Sequence, residues 1–347
     1  MIAWLRSPVG MWSAAALLVL LFMPAILPEL MPANQANFWL GNIFGRGIIF
    51  GIIAMSLTFL ATYGGFVSLA QMSLAGVAGY VLAVTIQGAA PSIVGGLSYL
   101  TAIPLAIFAA VLAALFVGVV SVRTRDIYLL MITLALAMGF FRFVETNIAW
   151  FNGYEGIRNI LGPTVFGQPF RNPLVIYYVS LTVAVLLYGG VLYLVRAPFG
   201  LVLQGIRDNP RRIAALGYNV ALHRIFAFGV AGFIAGCGGV LMTIYNIGIS
   251  PGTVGLGATV NILIMSVIGG LGHPIGAFIG SLIFAFFDTF AATIYDRNRF
   301  NTLIGVVFLV IVLVSPDGVI GFAKRAYAAI KEKSAPKTWT APKSKSG

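Results

Sequence analysis

The sequence predicts an all-α integral membrane protein, a bundle of about ten transmembrane helices with some short or broken members, and three observations carry that prediction. The first is composition. Of 347 residues 60% are apolar and 9% charged, whereas soluble domains run at roughly 45–50% apolar and about 25% charged, so too few charges exist to clothe this chain in water. The second is a series of long uncharged runs, of which Tyr99–Val122 and Pro173–Val195 are the cleanest. At about 1.5 Å per residue each is long enough to cross a hydrocarbon layer of roughly 30 Å. The third is the placement of Lys and Arg, which collect on alternate loops.

Taken in order, the candidate spans are 11–28, 43–62, 66–87, 99–122, 127–147, 173–195, 225–247, 257–272, 274–294 and 301–315. The first resembles a secretory leader, with Arg6 ahead of an apolar run. It ends in Pro28-Glu29 without a small-x-small cleavage signature and is about long enough to span, so it reads as a helix. The weakest is 257–272, which closes on Gly269-Gly270-Leu271-Gly272-His273-Pro274 and predicts a short or broken helix followed by a turn. The same reading applies to Thr62-Tyr63-Gly64-Gly65, since backbone freed from helical bonding is tolerated only where protein or a water-filled cavity covers it. These spans define one membrane domain, residues 1–322, with a cytoplasmic loop at 196–224. The basic stretch 323–347, rich in Lys, Ser and Pro, predicts a disordered tail that contacts lipid headgroups.

With both termini inside, the inner side collects 15 of the 21 Lys and Arg residues. These are Arg6, Arg123, Arg125, the five arginines from Arg196 to Arg224 and seven in the tail. The positive-inside rule therefore accounts for the net charge of +12 without nucleic acid as a partner. Within the spans, Gly232-x-x-x-Gly236 and Gly276-x-x-x-Gly280 are small-residue faces for close helix contact. Cys237, the single cysteine, forms no internal disulfide and reads as another small packing residue. Arg142 and Glu145 stand three apart on one helix face and neutralise each other. Asp288 is placed to reach Arg297 or Arg299.

The middle of the bundle is otherwise nearly free of charge. Neutral polar groups stand there instead, and Ser68, Gln71, Thr133, Asn261 and Ser266 are the candidate solute path, giving a passing molecule weak contacts without a deep trap. The loop 196–224 is long for this chain. Asp208 or Asn209 caps a two-turn helix that has Pro210 at its first position and ends at Gly217, with Ala214 and Ala215 presenting a small-residue face to a partner.

At these residues the chain resembles a known family. The run Ile206-Arg-Asp-Asn-Pro-Arg-Arg-Ile-Ala-Ala-Leu-Gly-Tyr-Asn-Val220 is similar to the cytoplasmic coupling motif of the branched-chain amino-acid ABC importer permeases, the LivM-type subunit in particular. Four further stretches follow in family order: Ser68–Tyr80, Arg123–Ala135, Ile249-Ser-Pro251 and Val267–Gly276. The outer loop Phe151-Asn-Gly-Tyr-Glu-Gly156 departs from the Thr-Gly-Gly-type turn common in the family, and the coupling segment lacks the glutamate of the broader pattern.

The resemblance implies a type II-like ABC importer half-channel in a bacterial inner membrane. It would pair with a LivH-type permease subunit, two cytoplasmic ATPases and a periplasmic solute-binding protein. Ile206, Asn209, Pro210, Ala214, Ala215, Leu216 and Gly217 would meet an ATPase. No Gly-x-x-x-x-Gly-Lys-Ser/Thr loop occurs in the sequence, so ATP hydrolysis is expected on the partners. No cofactor is implied, and His223, His273 and Cys237 make neither a metal set nor a nucleophile with its base. An ion-coupled carrier is the alternative class. Urea or short amides are alternative solutes to branched-chain amino acids.

Overall fold

The computed structural model describes residues 32–87, 96–124, 126–165 and 167–294, with a few isolated positions outside those stretches. Helix α1 runs Asn34–Gly64 and contains π-helical turns at Trp39–Gly45 and Leu60–Gly64. It is followed by α2 (Gln71–Gln87), α3 (Tyr99–Ser121), α4 (Asp126–Thr146), α5 (Pro173–Arg196), α6 (Pro198–Asp208), α7 (Pro210–Ala215), α8 (Val220–Tyr245), α9 (Leu256–Gly269) and α10 (Ile275–Ile294). Helices α1, α3, α4, α5 and α8 are long and apolar enough to cross a membrane. Helix α9, with 14 residues, reaches only roughly 21 Å, in keeping with the short, Gly-terminated segment read from the sequence.

Eight of the ten expected spans coincide with described helices. The other two, 11–28 and 301–315, lie outside the described residues, as does the basic tail 323–347. Boundaries move for local reasons. The seventh expected span, α8, begins at Val220 rather than 225, because the Asn219 side chain accepts the Leu222 N–H at 3.1 Å and caps it. The second expected span, α1, begins at Asn34 rather than 43, since its first turns are polar and escape a hydropathy reading.

The core sits where α8 crosses α1, α2 and α3. In lipid no hydrophobic force drives helices together, so association rests on close fit. Helix α3 supplies an alanine at every fourth position, Ala102, Ala106, Ala110 and Ala114, all fully buried. A Cβ added at Gly232 of α8 would collide with Ala114, and one at Gly236 would lie 2.9 Å from the Ala110 Cβ. The expected Gly232/Gly236 face is thus a helix contact. The opposite face of α3 exposes Leu105, Phe108, Leu112, Phe116 and Val119, the side a bilayer would cover.

A second crossing joins α9 to α10. Here Gly276 and Gly280 bring backbone against backbone, because a Cβ on Gly280 would overlap the Met265 carbonyl oxygen and one on Gly276 the Gly270 carbonyl oxygen. The two ends of the bundle differ in character. One carries the turns after α1 and α9 together with α6 and α7. The other carries the start of α1, the 147–172 loop and the 246–255 loop, where Ile157–Arg158 and Gly248–Ile249 form a short antiparallel pair.

Candidate functional site

The 197–219 segment holds two helices where one was expected. Pro198 opens α6 at its first position, and Gly200 has to be glycine because a Cβ there would enter the backbone of Val195. The Gln204 amide nitrogen closes this corner by donating to the carbonyls of Val195 and Gly200, both at 3.1 Å. Leu203 and Ile206 of α6 are buried against the bundle while Leu201, Arg207 and Asp208 are exposed. Ile206 therefore differs from the other residues expected at a docking surface, because it anchors α6 inward.

Asn209 ends α6 and starts α7. Its backbone N–H donates to the Gly205 carbonyl at 2.9 Å, and its side-chain oxygen accepts the Arg212 N–H at 3.1 Å. Of the two caps the sequence allowed, Asn209 is the one used, with Pro210 at the first helical position. At the other end Gly217 takes φ +89°, its N–H donates to the Ala214 carbonyl at 3.0 Å and the Tyr218 N–H donates to the Ile213 carbonyl at 3.3 Å. This is the Schellman arrangement, which satisfies carbonyls a six-residue helix would otherwise leave open. So short a helix is unstable alone; two caps give it a fixed shape.

Ile213 faces α6, with its Cδ1 2.6 Å from where a Gly205 Cβ would stand. Ala214, Ala215, Leu216 and Gly217 are exposed, and Leu216 keeps 72% of its surface open. The segment is fastened to α8 by aromatic contacts. Phe199 stacks on His223 at 5.8 Å and 13°, and Tyr218 meets the same ring edge-on.

The segment is also tied to the rest of the bundle. The Arg207 guanidinium donates from Nη1 to the Thr62 carbonyl at 2.7 Å, and its side chain lies over Gly65, whose φ is +72°. The Thr62 hydroxyl in turn donates to the Leu271 carbonyl in the turn between α9 and α10. A continuous chain of contacts therefore runs from α7 through α6 and Arg207 to the ends of α1 and α9. Sequence reading singled out both glycine turns but not the arginine that ties the first of them to α6, because that contact is 145 residues long in sequence.

The neutral polar residues expected along a path separate into two groups. Gln71, Thr133 and Ser266 are fully buried in helix contacts, and Ser68, expected within a helix, is fully buried in the non-helical segment that leads into α2 at Gln71. Ser266 donates to the Ile262 carbonyl at 2.9 Å, Thr133 accepts the Leu69 N–H at 3.1 Å, Ser68 accepts the Ala70 N–H at 3.3 Å, and the Gln71 amide meets the Ser56 hydroxyl at 2.9 Å. Asn261 alone of the five borders a cavity of about 450 Å³ between α1, α2, α8, α9 and α10, toward the end opposite α6 and α7. Arg46 and Asp288 form an ion pair on its wall. Asp288 thus has a partner on α1; the expected partners Arg297 and Arg299 lie outside the described residues. Arg142 and Glu145 pair as expected, at 2.6 Å.

Comparison with known proteins fits this architecture. The chain is 25% identical to a probable branched-chain amino acid transport permease, LivH, of Methanocaldococcus jannaschii, over 80% of this chain and 90% of that protein. It is 24% identical to the ribose import permease RbsC of Haemophilus influenzae, over 82% and 86%. It is 22% identical to the branched-chain amino acid permease LivM of Escherichia coli, over 65% and 58%. No solved structure matches. Residues 39–314 match the family described as the branched-chain amino acid transport system permease component, and a match over that much of the chain shows that this protein belongs to that family of ABC importer permeases.

Proposed function

We propose that this chain is one half of the transmembrane path of an ATP-driven importer for branched-chain or related amino acids, working beside a related LivH-type permease subunit. Of the two cytoplasmic ATPases one docks at Asn209–Gly217, and a periplasmic binding protein delivers the solute at the opposite end. The reading places the protein in a bacterial inner membrane with both termini in the cytoplasm, the side on which the charge count puts α6 and α7. The observation that carries it is α7, a six-residue helix capped at both ends that turns Ala214, Ala215 and Leu216 outward. A loop that served only to fix topology needs arginines but no such surface.

Work entering at α7 has a route inward, through Arg207 to Thr62 and on to Leu271. Arg207→Ala should leave the ATPases bound, because α7 and its caps remain. Solute uptake per ATP hydrolysed should fall at least about fivefold in reconstituted vesicles. Unchanged uptake per ATP would assign Arg207 to local packing alone.

The competing class is an ion-coupled carrier, and reconstitution separates the two. The purified complex should accumulate radiolabelled L-leucine only with ATP inside the compartment holding the ATPases, and the chain alone should accumulate none in a proton or sodium gradient. Gradient-driven uptake by the chain alone would replace the importer reading with the carrier. Because relatives include a ribose permease, ribose is the comparison solute.

A further inference from the structure

The cavity that Asn261 borders has a composition that a mere gap between helices does not require. Its walls include Phe50, Met72, Met242 and Met265, and its polar side combines neutral groups such as Asn246 and Thr253 with an ion pair between Arg46 of α1 and Asp288 of α10. The two charged side chains are about one third and one quarter exposed, at 34% and 23%, so each keeps an open edge. The Arg46 guanidinium also lies 5.6 Å from the centre of the Phe50 ring. Charged residues within spans are costly, face the bundle interior or a water-filled cavity, and mark solute or ion pathways.

From this geometry we infer that Arg46 and Asp288 form a transient binding site for a zwitterion with an apolar side chain, which enters by opening the ion pair and bridging it. The inference rests on the importer reading and names the residues of the solute path within it. Arginine presents five donors in a planar fork suited to a carboxylate, and an aspartate accepts from an ammonium group. A molecule carrying both groups on one carbon replaces a single Arg–Asp contact with two, and leaves no charge unpaired. A free anion meets Asp288, a free cation meets Arg46, and a neutral polyol offers nothing in exchange for the broken pair.

The remainder of the ligand lies against methionines, whose flexible thioethers adapt to branched side chains of differing shape. The volume, about 450 Å³, falls in the range of roughly 300–1,000 Å³ usual for small-molecule sites. Exchange of one ion pair for others keeps the site weak, as a path requires.

The test uses the assembled complex with Cys237→Ser and Asn261→Cys, and measures how fast a small thiol reagent modifies position 261 without ATP. L-leucine at millimolar concentration should slow the reaction at least threefold, while ribose, leucinamide and isovalerate should leave it unchanged. Adding Arg46→Gln with Asp288→Asn, which keeps a neutral hydrogen-bonding pair, should abolish the protection. Equal protection by ribose or by either singly charged analogue would overturn the inference, and so would protection by leucine that survives the double substitution. Loss of the doubly substituted complex from the membrane would assign the pair to fastening α1 to α10 and overturn it as well. Failure of the importer reading is seen separately, as gradient-driven uptake by the chain alone.

Discussion

Ala215→Arg should strip the ATPase subunits from the purified complex while the protein still inserts in the membrane. Ala215 lies in the last turn of α7, exposed and flanked by Ala214 and Leu216. In the proposed complex this face is covered, so the new guanidinium is buried without a partner where a methyl group had been. Removing a charge from water without pairing costs several kcal/mol; about 2–5 kcal/mol of association corresponds to a loss of roughly 30-fold to several thousand-fold in affinity. Nothing in α7 itself resists the change, because the Asn209 cap and the turn at Gly217 do not involve the Ala215 side chain. The measurement is co-purification together with solute-stimulated ATP hydrolysis. Retention of both at the unmodified level would remove this helix from the coupling route.

Gly280→Leu should have an effect as large by another route, loss of the folded protein from the membrane. The Cβ of any side chain at this position overlaps the Met265 carbonyl oxygen and stands 2.7 Å from the Gly269 nitrogen. Backbone cannot move aside as a side chain tip can, so α9 and α10 must separate along their whole crossing. Overpacking a core costs typically about 1–3 kcal/mol when side chains yield, and more is expected where they do not. Gly189→Leu is the control: nothing lies within 4 Å of a Cβ at that position, and the substituted protein should accumulate normally. Equal amounts of both variants in the membrane would contradict the close α9–α10 contact.

What the sequence made legible is what local chemistry dictates. Uncharged runs place the long helices, because hydrocarbon excludes charge regardless of neighbours. The caps of α7 were readable for the same reason, since Asn209, Pro210 and Gly217 act within one or two turns. Helix α6 escaped notice although its signals are present: Pro198 at the first position and the apolar pair Leu203 and Ile206 three apart. The alanines of α3, spaced by four, likewise announce a close-packed face.

The relations between distant elements were not legible. Nothing near Asp288 in sequence names Arg46 as its partner, because that pairing depends on how α10 lies on α1. Polarity alone did not separate Asn261, on the cavity, from Ser68, Gln71, Thr133 and Ser266, which are fully buried. All five are neutral polar residues in apolar runs; which of them faces open space depends on the rotation of each helix about its axis and, for Ser68, on α2 starting only at Gln71.

The central claim is that work reaches this bundle from outside the membrane through α7, and one measurement addresses it directly. With Cys237→Ser and Leu216→Cys in the complete complex, a short thiol-directed photo-cross-linker at position 216 should join this chain to an ATPase subunit, in a yield that changes when a non-hydrolysable ATP analogue closes the ATPases. A cross-link to lipid alone, or to an ATPase in a yield indifferent to nucleotide, would contradict the account.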